Sequence, residues 1–172
     1  KKQVFVAGLK LIGDGSVSGR TAWMSEPYLG SGNNCGLPVC SDALLESAIA
    51  FCKQNRCQLS MHAMGGRAID RIVDRVYPED SWTEGDVPHL RMEHWTEPSL
   101  RAIQKSAEKG LAVVTQPIFL YAEIESYLAN LGETRMQRTY PIQTMLRAGV
   151  PVCFSTDAPA TSWAVPSDPF PC

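Results

Sequence analysis

Five short apolar runs, separated by segments of helical periodicity, constrain this chain more than any other feature. The runs lie in "QVFVAGLKLIGDG", "CQLSMHA", "HLRMEHW", "LAVVTQPIFL" and "VPVCFSTDAP". Between them, "DALLESAIAFCKQN" reads as a helix capped by Ser41 or Asp42, and "GGRAIDRIVDRVYPED" as a second. "EPSLRAIQKSAEKG" reads as a third with Pro98 in its first turn, and "YPIQTMLRAG" as a short one closed by Gly149. Near-continuous apolar strands are buried on both faces, and strands spaced by helices run parallel through right-handed crossovers. The alternation therefore predicts an α/β chain on a parallel sheet. Five units in 172 residues average about 34 residues each, the size of a βαβ repeat.

Three segments stand outside the alternation. Residues 16 to 40 are dense in Gly, Ser, Asn and Pro and read as a long loop, which in a compact domain is more often functional than idle. A polar stretch runs to Arg138, and the tail "SWAVPSDPFPC" reads as irregular.

Composition narrows the partners. With 44% hydrophobic residues, 20% charged and a net charge of -2, the chain has the make-up of an ordinary globular domain. Its Lys and Arg residues are scattered, so no basic footprint marks a nucleic acid or an anionic membrane as partner. No apolar run approaches the roughly 18 to 20 residues of a membrane span, and the start "KKQVFVAGLKLIGDGS" lacks the pattern of a signal peptide. A cytoplasmic location is the expectation. The pairs Cys35/Cys40 and Cys52/Cys57 are spaced C-x4-C, whereas a zinc ribbon prefers two intervening residues. Cys52 sits in a helical run and Cys57 introduces a strand, so both read as small core residues.

The polar residues on the apolar runs carry the chemistry. Lys10 lies within or at the end of the first strand, His62 and His94 at the ends of the second and third, and Asp157 at the end of the fifth. Parallel α/β sheets and barrels display their reactive groups at strand C-termini. These four are therefore candidate site residues, with His89 an ordinary loop residue ahead of the third strand.

The segments "LKLIGDGSVSGRTAWMSEPY", "MHAMGG", "RMEHW" and "FSTDAP" together resemble the amidohydrolase superfamily, in particular amidohydrolase family 3, a group of metal-dependent TIM-barrel hydrolases. The resemblance runs from about Lys10 to Phe170. It implies a partial (β/α)8 barrel whose five units correspond to strands four to eight, with residues 1–172 the C-terminal part of the barrel domain. It also implies the metal ligands: a fourth-strand lysine, often carboxylated and bridging two ions, at Lys10; the fifth- and sixth-strand histidines at His62 and His94; and the eighth-strand aspartate at Asp157. The seventh strand, here "AVVTQPIF", usually gives no ligand.

Two departures stand out. The first-strand His-x-His pair is absent, since the three histidines are His62, His89 and His94, and Gly66 occupies a position where the family usually has aspartate.

The implied function is metal-dependent hydrolysis of a C–N bond, in an amide or cyclic amide, with Zn(II) the expected ion and one or two ions in the complete enzyme. Carboxylation would turn the Lys10 amine into an anionic carbamate able to bridge cations. Asp157 would be both ligand and proton shuttle. Arg20, Glu26 and Tyr28, in the loop expected to overhang the site, are candidate contacts to a small-molecule substrate. The alternative is a non-catalytic half-barrel or binding module retaining part of the metal site. A closed barrel needs eight strands and about 250 residues, so five units predict self-association or pairing with the remainder of a barrel.

Overall fold

The computed structural model describes residues 5–160, so the Pro-rich tail and the end of the resemblance lie outside the described residues. Five strands form one parallel sheet in the order β1-β2-β3-β4-β5, each paired with the next in sequence. They are β1 (Gly8–Ile12), β2 (Gln58–Ala63), β3 (Leu90–His94), β4 (Ala112–Thr115) and β5 (Val152–Phe154). Sequential order with every pair parallel is that of a barrel wall, so the expected α/β architecture of five barrel units is the one observed.

Three crossover helices match their sequence signals. Helix α1 (Asp42–Asn55) starts at Ser41, whose Oγ accepts the Leu44 N–H at 3.2 Å, and ends where Arg56 turns left-handed. Helix α2 (Gly66–Val76) buries Ala68, Ile69, Ile72, Val73 and Val76 along one stripe. Helix α3 (Leu100–Lys109) is capped by Ser99, whose Oγ accepts the Ala102 N–H at 3.0 Å, so Pro98 precedes the helix and does not lie in its first turn. Gly110 closes it.

The segment after β4 departs from expectation. "PIFL" is not strand: residues from Ile118 form α4 (Ile118–Ala122), followed by α5 (Ile124–Leu131) and α6 (Glu133–Met136) in the polar stretch, for which no helix was expected. Pro117 ends the ladder because it lacks an N–H, and its αR backbone opens the helix. Helix α7 (Ile142–Ala148), closed by left-handed Gly149, returns the chain to β5.

Side-chain alternation divides the sheet into two unlike faces. Leu59, Met61 and Ala63 of β2, Leu90 and Met92 of β3, and Val113 of β4 share one face and pack under α1, α2 and α3 in the main core. Cys52 and Cys57 are buried in that core, as expected. The other face carries Lys10, Ile12, Ser60, His62, Arg91, Glu93, Val114 and Cys153, with Lys10, Ile12 and Cys153 exposed.

A second apolar cluster lies beyond the strand ends. It joins Val17, Ala22, Met24 and Tyr28 of the long loop to Met64, Phe119, Tyr127, Leu131 and Tyr140. Asn130 of α5 clamps this loop, donating to the carbonyls of Val17 (2.9 Å) and Ser18 (3.2 Å) and accepting from Arg20 Nε at 2.6 Å. The loop is therefore a packed layer over the C-terminal end of the sheet. Among the described residues, no helix is long and apolar enough to cross a membrane.

Candidate metal centre

His62 and His94 meet at the C-terminal edge of β2 and β3, their rings 4.4 Å apart and crossed edge to face. Strand geometry alone would not bring them together. His62 lies opposite Glu93 on the open face, whereas His94 lies opposite Ala63 and by alternation belongs to the helix side. At His94 the backbone turns to φ 70, and Trp95 donates its N–H to the Glu93 carbonyl at 3.0 Å, closing a γ-turn of the rare positive-φ kind. Trp95 continues at φ 56. Two such residues cost on the order of 1–3 kcal/mol each and persist only where the surroundings hold them. The surroundings do so here. Trp95 is fully buried, Thr115 Oγ1 donates to the His94 carbonyl at 2.8 Å, and Tyr140 donates its N–H to the Thr96 carbonyl at 2.7 Å.

The two imidazoles differ in their surroundings. His94 is buried, and its Nδ1 has no hydrogen-bond partner. Burial, with the charges of His62 and Lys10, holds its pKa down to about 3, and Gln116 offsets part of the shift. His94 is thus a neutral ring at physiological pH. His62 is partly exposed, with Nε2 2.8 Å from the Gly15 carbonyl oxygen and 3.5 Å from Asp14 Oδ1.

Asp14 is the residue that sequence reasoning missed. Its buried carboxylate accepts the N–H of Met64 (3.0 Å) on one oxygen and those of Trp23 and Gly65 (2.8 Å each) on the other. Burial pushes its carboxyl above the ordinary value, while the three amides and His62 pull it back. The signal was the "GDG" that directly follows β1. Gly65 completes the joint: a Cβ there would sit 2.2 Å from the Trp23 carbonyl oxygen. Gly66, the family's usual aspartate position, is filled around by Ser25, whose Oγ lies 2.5 Å from where a Cβ would stand.

The remaining candidates are placed as follows. Lys10 lies in the middle of β1, on the same face as His62 and opposite Ser60, and is near enough to act on His94 by charge. Asp157 is exposed three residues beyond β5 at φ 54, with its backbone carbonyl accepting the Ala160 N–H at 2.9 Å. Tyr28 is not a surface contact: it is buried, and its hydroxyl donates to the Ala22 carbonyl at 2.8 Å. Arg20 is held by Asn130, and Glu26 pairs with Arg138 at 3.2 Å. His89 lies in the loop directly ahead of β3, as expected, but it is buried against Trp82 and not an ordinary loop residue. Arg91 and Glu93 pair at 2.7 Å on the open face, and Ser60 Oγ donates to the same Glu93 oxygen at 2.9 Å.

A sequence model described as the amidohydrolase family matches residues 1–169. The chain belongs to the amidohydrolase family. Within it, YtcJ of Bacillus subtilis (strain 168) is 25% identical over 151 residues, which are 88% of this chain and 28% of that protein. A crystal structure described as an uncharacterized metal-dependent hydrolase from Pyrococcus furiosus is 27% identical with a TM-score of 0.75, covering 90% of this chain and 31% of that one. Its counterpart from Pyrococcus horikoshii is 25% identical with a TM-score of 0.74, covering 90% and 30%. The chain therefore spans under a third of the length of these relatives, as a partial amidohydrolase barrel.

The donor chemistry fits a divalent ion in part. A neutral imidazole with an unpartnered nitrogen and a second imidazole beside it are nitrogen donors of the kind Zn(II) and related ions take. Among the described residues, no three His, Cys, Asp or Glu side chains are grouped to hold a metal by themselves. A lysine is outside that set of residue types, and Lys10 stands on the same face.

Proposed function

We propose that this chain carries part of the metal site of a divalent-metal-dependent hydrolase that cleaves C–N bonds of amides or cyclic amides, with zinc as the ion. In this reading His62 and His94 are the imidazole donors, a carboxylated Lys10 supplies oxygen donors, and Asp157 is the remaining ligand and the proton carrier. The supporting observation is the convergence of His62 and His94, reached only through the costly γ-turn at His94. A bound divalent ion would supply Lewis acidity toward the substrate carbonyl and lower the pKa of water.

The chain's own residues have distinct tasks. His94, neutral and dry, offers a donor without first losing a proton. The loop layer of Val17, Met24 and Tyr28 keeps water from reaching the site from behind. Asp157, exposed at the strand end, accepts a proton from the attacking water and passes it to the departing nitrogen as the C–N bond breaks. The open face of the sheet would be covered by further barrel strands or by a second copy, and a small-molecule substrate would enter at its C-terminal edge.

The test is turnover on N-acyl amino acids and cyclic amides with added Zn(II). Hydrolysis above the metal-only rate, reduced by roughly 10²–10⁴-fold in Asp157→Asn, is the expected result. Zinc binding without turnover would favour the other reading, a half-barrel binding module, which the exposed position of Asp157 supports.

A further inference from the structure

The Asp14–Gly15 turn has no assigned task in the reaction, yet it is the most heavily bonded point near the two histidines. Asp14 ties together three separate segments: its own strand end, the loop at Trp23, and the β2–α2 junction at Met64 and Gly65. A buried carboxylate whose oxygens are all hydrogen-bonded holds the segments that it bonds in one arrangement.

A carbonyl oxygen can only accept. The 2.8 Å contact between His62 Nε2 and the Gly15 carbonyl therefore requires the proton to be on Nε2, and the Asp14 carboxylate 3.5 Å away favours the same state. A neutral imidazole with Nε2–H has its lone pair on Nδ1. Among the described residues, the hydrogen bond of the His62 ring is the one at Nε2. Gly15 holds its carbonyl in place because the turn is packed shut: a Cβ on Gly15 would fall 2.1 Å from Thr21 Oγ1.

We propose that Asp14 is a positioning residue, which with the Gly15 carbonyl locks His62 in the Nε2–H tautomer and presents Nδ1 as its donor atom. This rests on the proposed metal-site reading only for what Nδ1 donates to. The tautomer itself is a property of the metal-free chain, so the two ideas fail separately.

The test is two-dimensional 15N NMR of the imidazole nitrogens in the metal-free chain, about two pH units above the ordinary histidine value of roughly 6.5. His62 should show a protonated Nε2 and an unprotonated Nδ1. A protonated Nδ1, or exchange averaging between the tautomers, overturns the proposal without further experiment. Asp14→Asn, which removes the charge and turns one of the two accepting oxygens into a donor facing a backbone N–H, should shift His62 toward a mixture of tautomers and weaken Zn(II) binding about 10–100-fold. Gly15→Ala, which drives a methyl into Thr21, should loosen the tautomer in the same way. Thermal melts and the tautomer of wild-type chain are read alongside. If both variants stay folded and keep the wild-type tautomer, Asp14 and Gly15 do not position His62. If one variant fails to fold, the tautomer in the other decides, and a wild-type His62 without Nε2–H overturns the proposal in either case.

Discussion

The two faces of the sheet are built from the same strands yet obey different rules. On the helix side, Leu59, Met61, Leu90, Met92 and Val113 are fully buried in one apolar core. On the other side, Lys10, Ser60, His62, Arg91 and Glu93 form a polar row, and Lys10, Ile12 and Cys153 are exposed. The helix side provides the stability. The C-terminal strand end at the site spends some of it, through two left-handed residues at His94 and Trp95, where the chain leaves the strand alternation, and a buried His94 nitrogen with no hydrogen-bond partner. In a barrel of this type the helices form the outer ring, so the open side is the one that faces the barrel axis.

The largest expected contrast is in core truncation. Met92→Ala on the helix side should cost about 2–5 kcal/mol in urea melts, because it opens a cavity in close-packed surroundings. Val114→Ala, one strand over on the open face and half-buried, should cost less than about 1 kcal/mol. Equal losses would mean that the open face is as closely packed as the core.

Acid should act on both faces through their buried histidines. Burial holds His89, on the scaffold side, and His94, at the site, below the ordinary value near 6.5. The unfolded chain therefore binds more protons than the folded one once the pH drops through 6.5, and stability falls with pH, for His94 until about 3. The urea midpoint should decrease from about pH 7 to about pH 5, and His89→Phe, which keeps a ring against Trp82, should flatten part of that slope. A midpoint that rises over this range would contradict the burial of both rings.

At the small end, Ser99→Ala removes an N-cap on the scaffold side and should cost about 1 kcal/mol. Lys10→Ala on the open face should change stability by less than about 0.5 kcal/mol, since Lys10 is exposed. Urea melts of the two variants check both values.

The scaffold side was the legible one. Its apolar runs and helix periods follow local rules, and Ser41 and Gly149 mark helix ends as expected, whereas the start of α3 was misplaced because Ser99, not a residue before Pro98, is its cap. The misreading at "PIFL" came from a four-residue apolar run, which periodicity alone cannot assign to strand or helix. The site was legible only as a set of strand-end residues. Nothing in "RMEHW" announces that His94 leaves the alternation, because the γ-turn is imposed by Trp95 and by the Thr115 and Tyr140 contacts from distant segments. Asp14 escaped notice for a similar reason, since the amides that it binds come from residues 23, 64 and 65. Tyr28 looked like a substrate contact because a loop residue reads as exposed, and the second apolar cluster that buries it is invisible from its own segment.

The central claim is that the open face, at the edge of β2 and β3, is a metal site. Its most direct test is the metal content of the purified chain after equilibration with Zn(II), measured for the wild type and for the variant with both His62→Ala and His94→Ala. The account predicts about one zinc ion per wild-type chain, held by nitrogen and oxygen donors, and none in the double variant. Full zinc stoichiometry retained without the two histidines would contradict it and move attention to the cysteines.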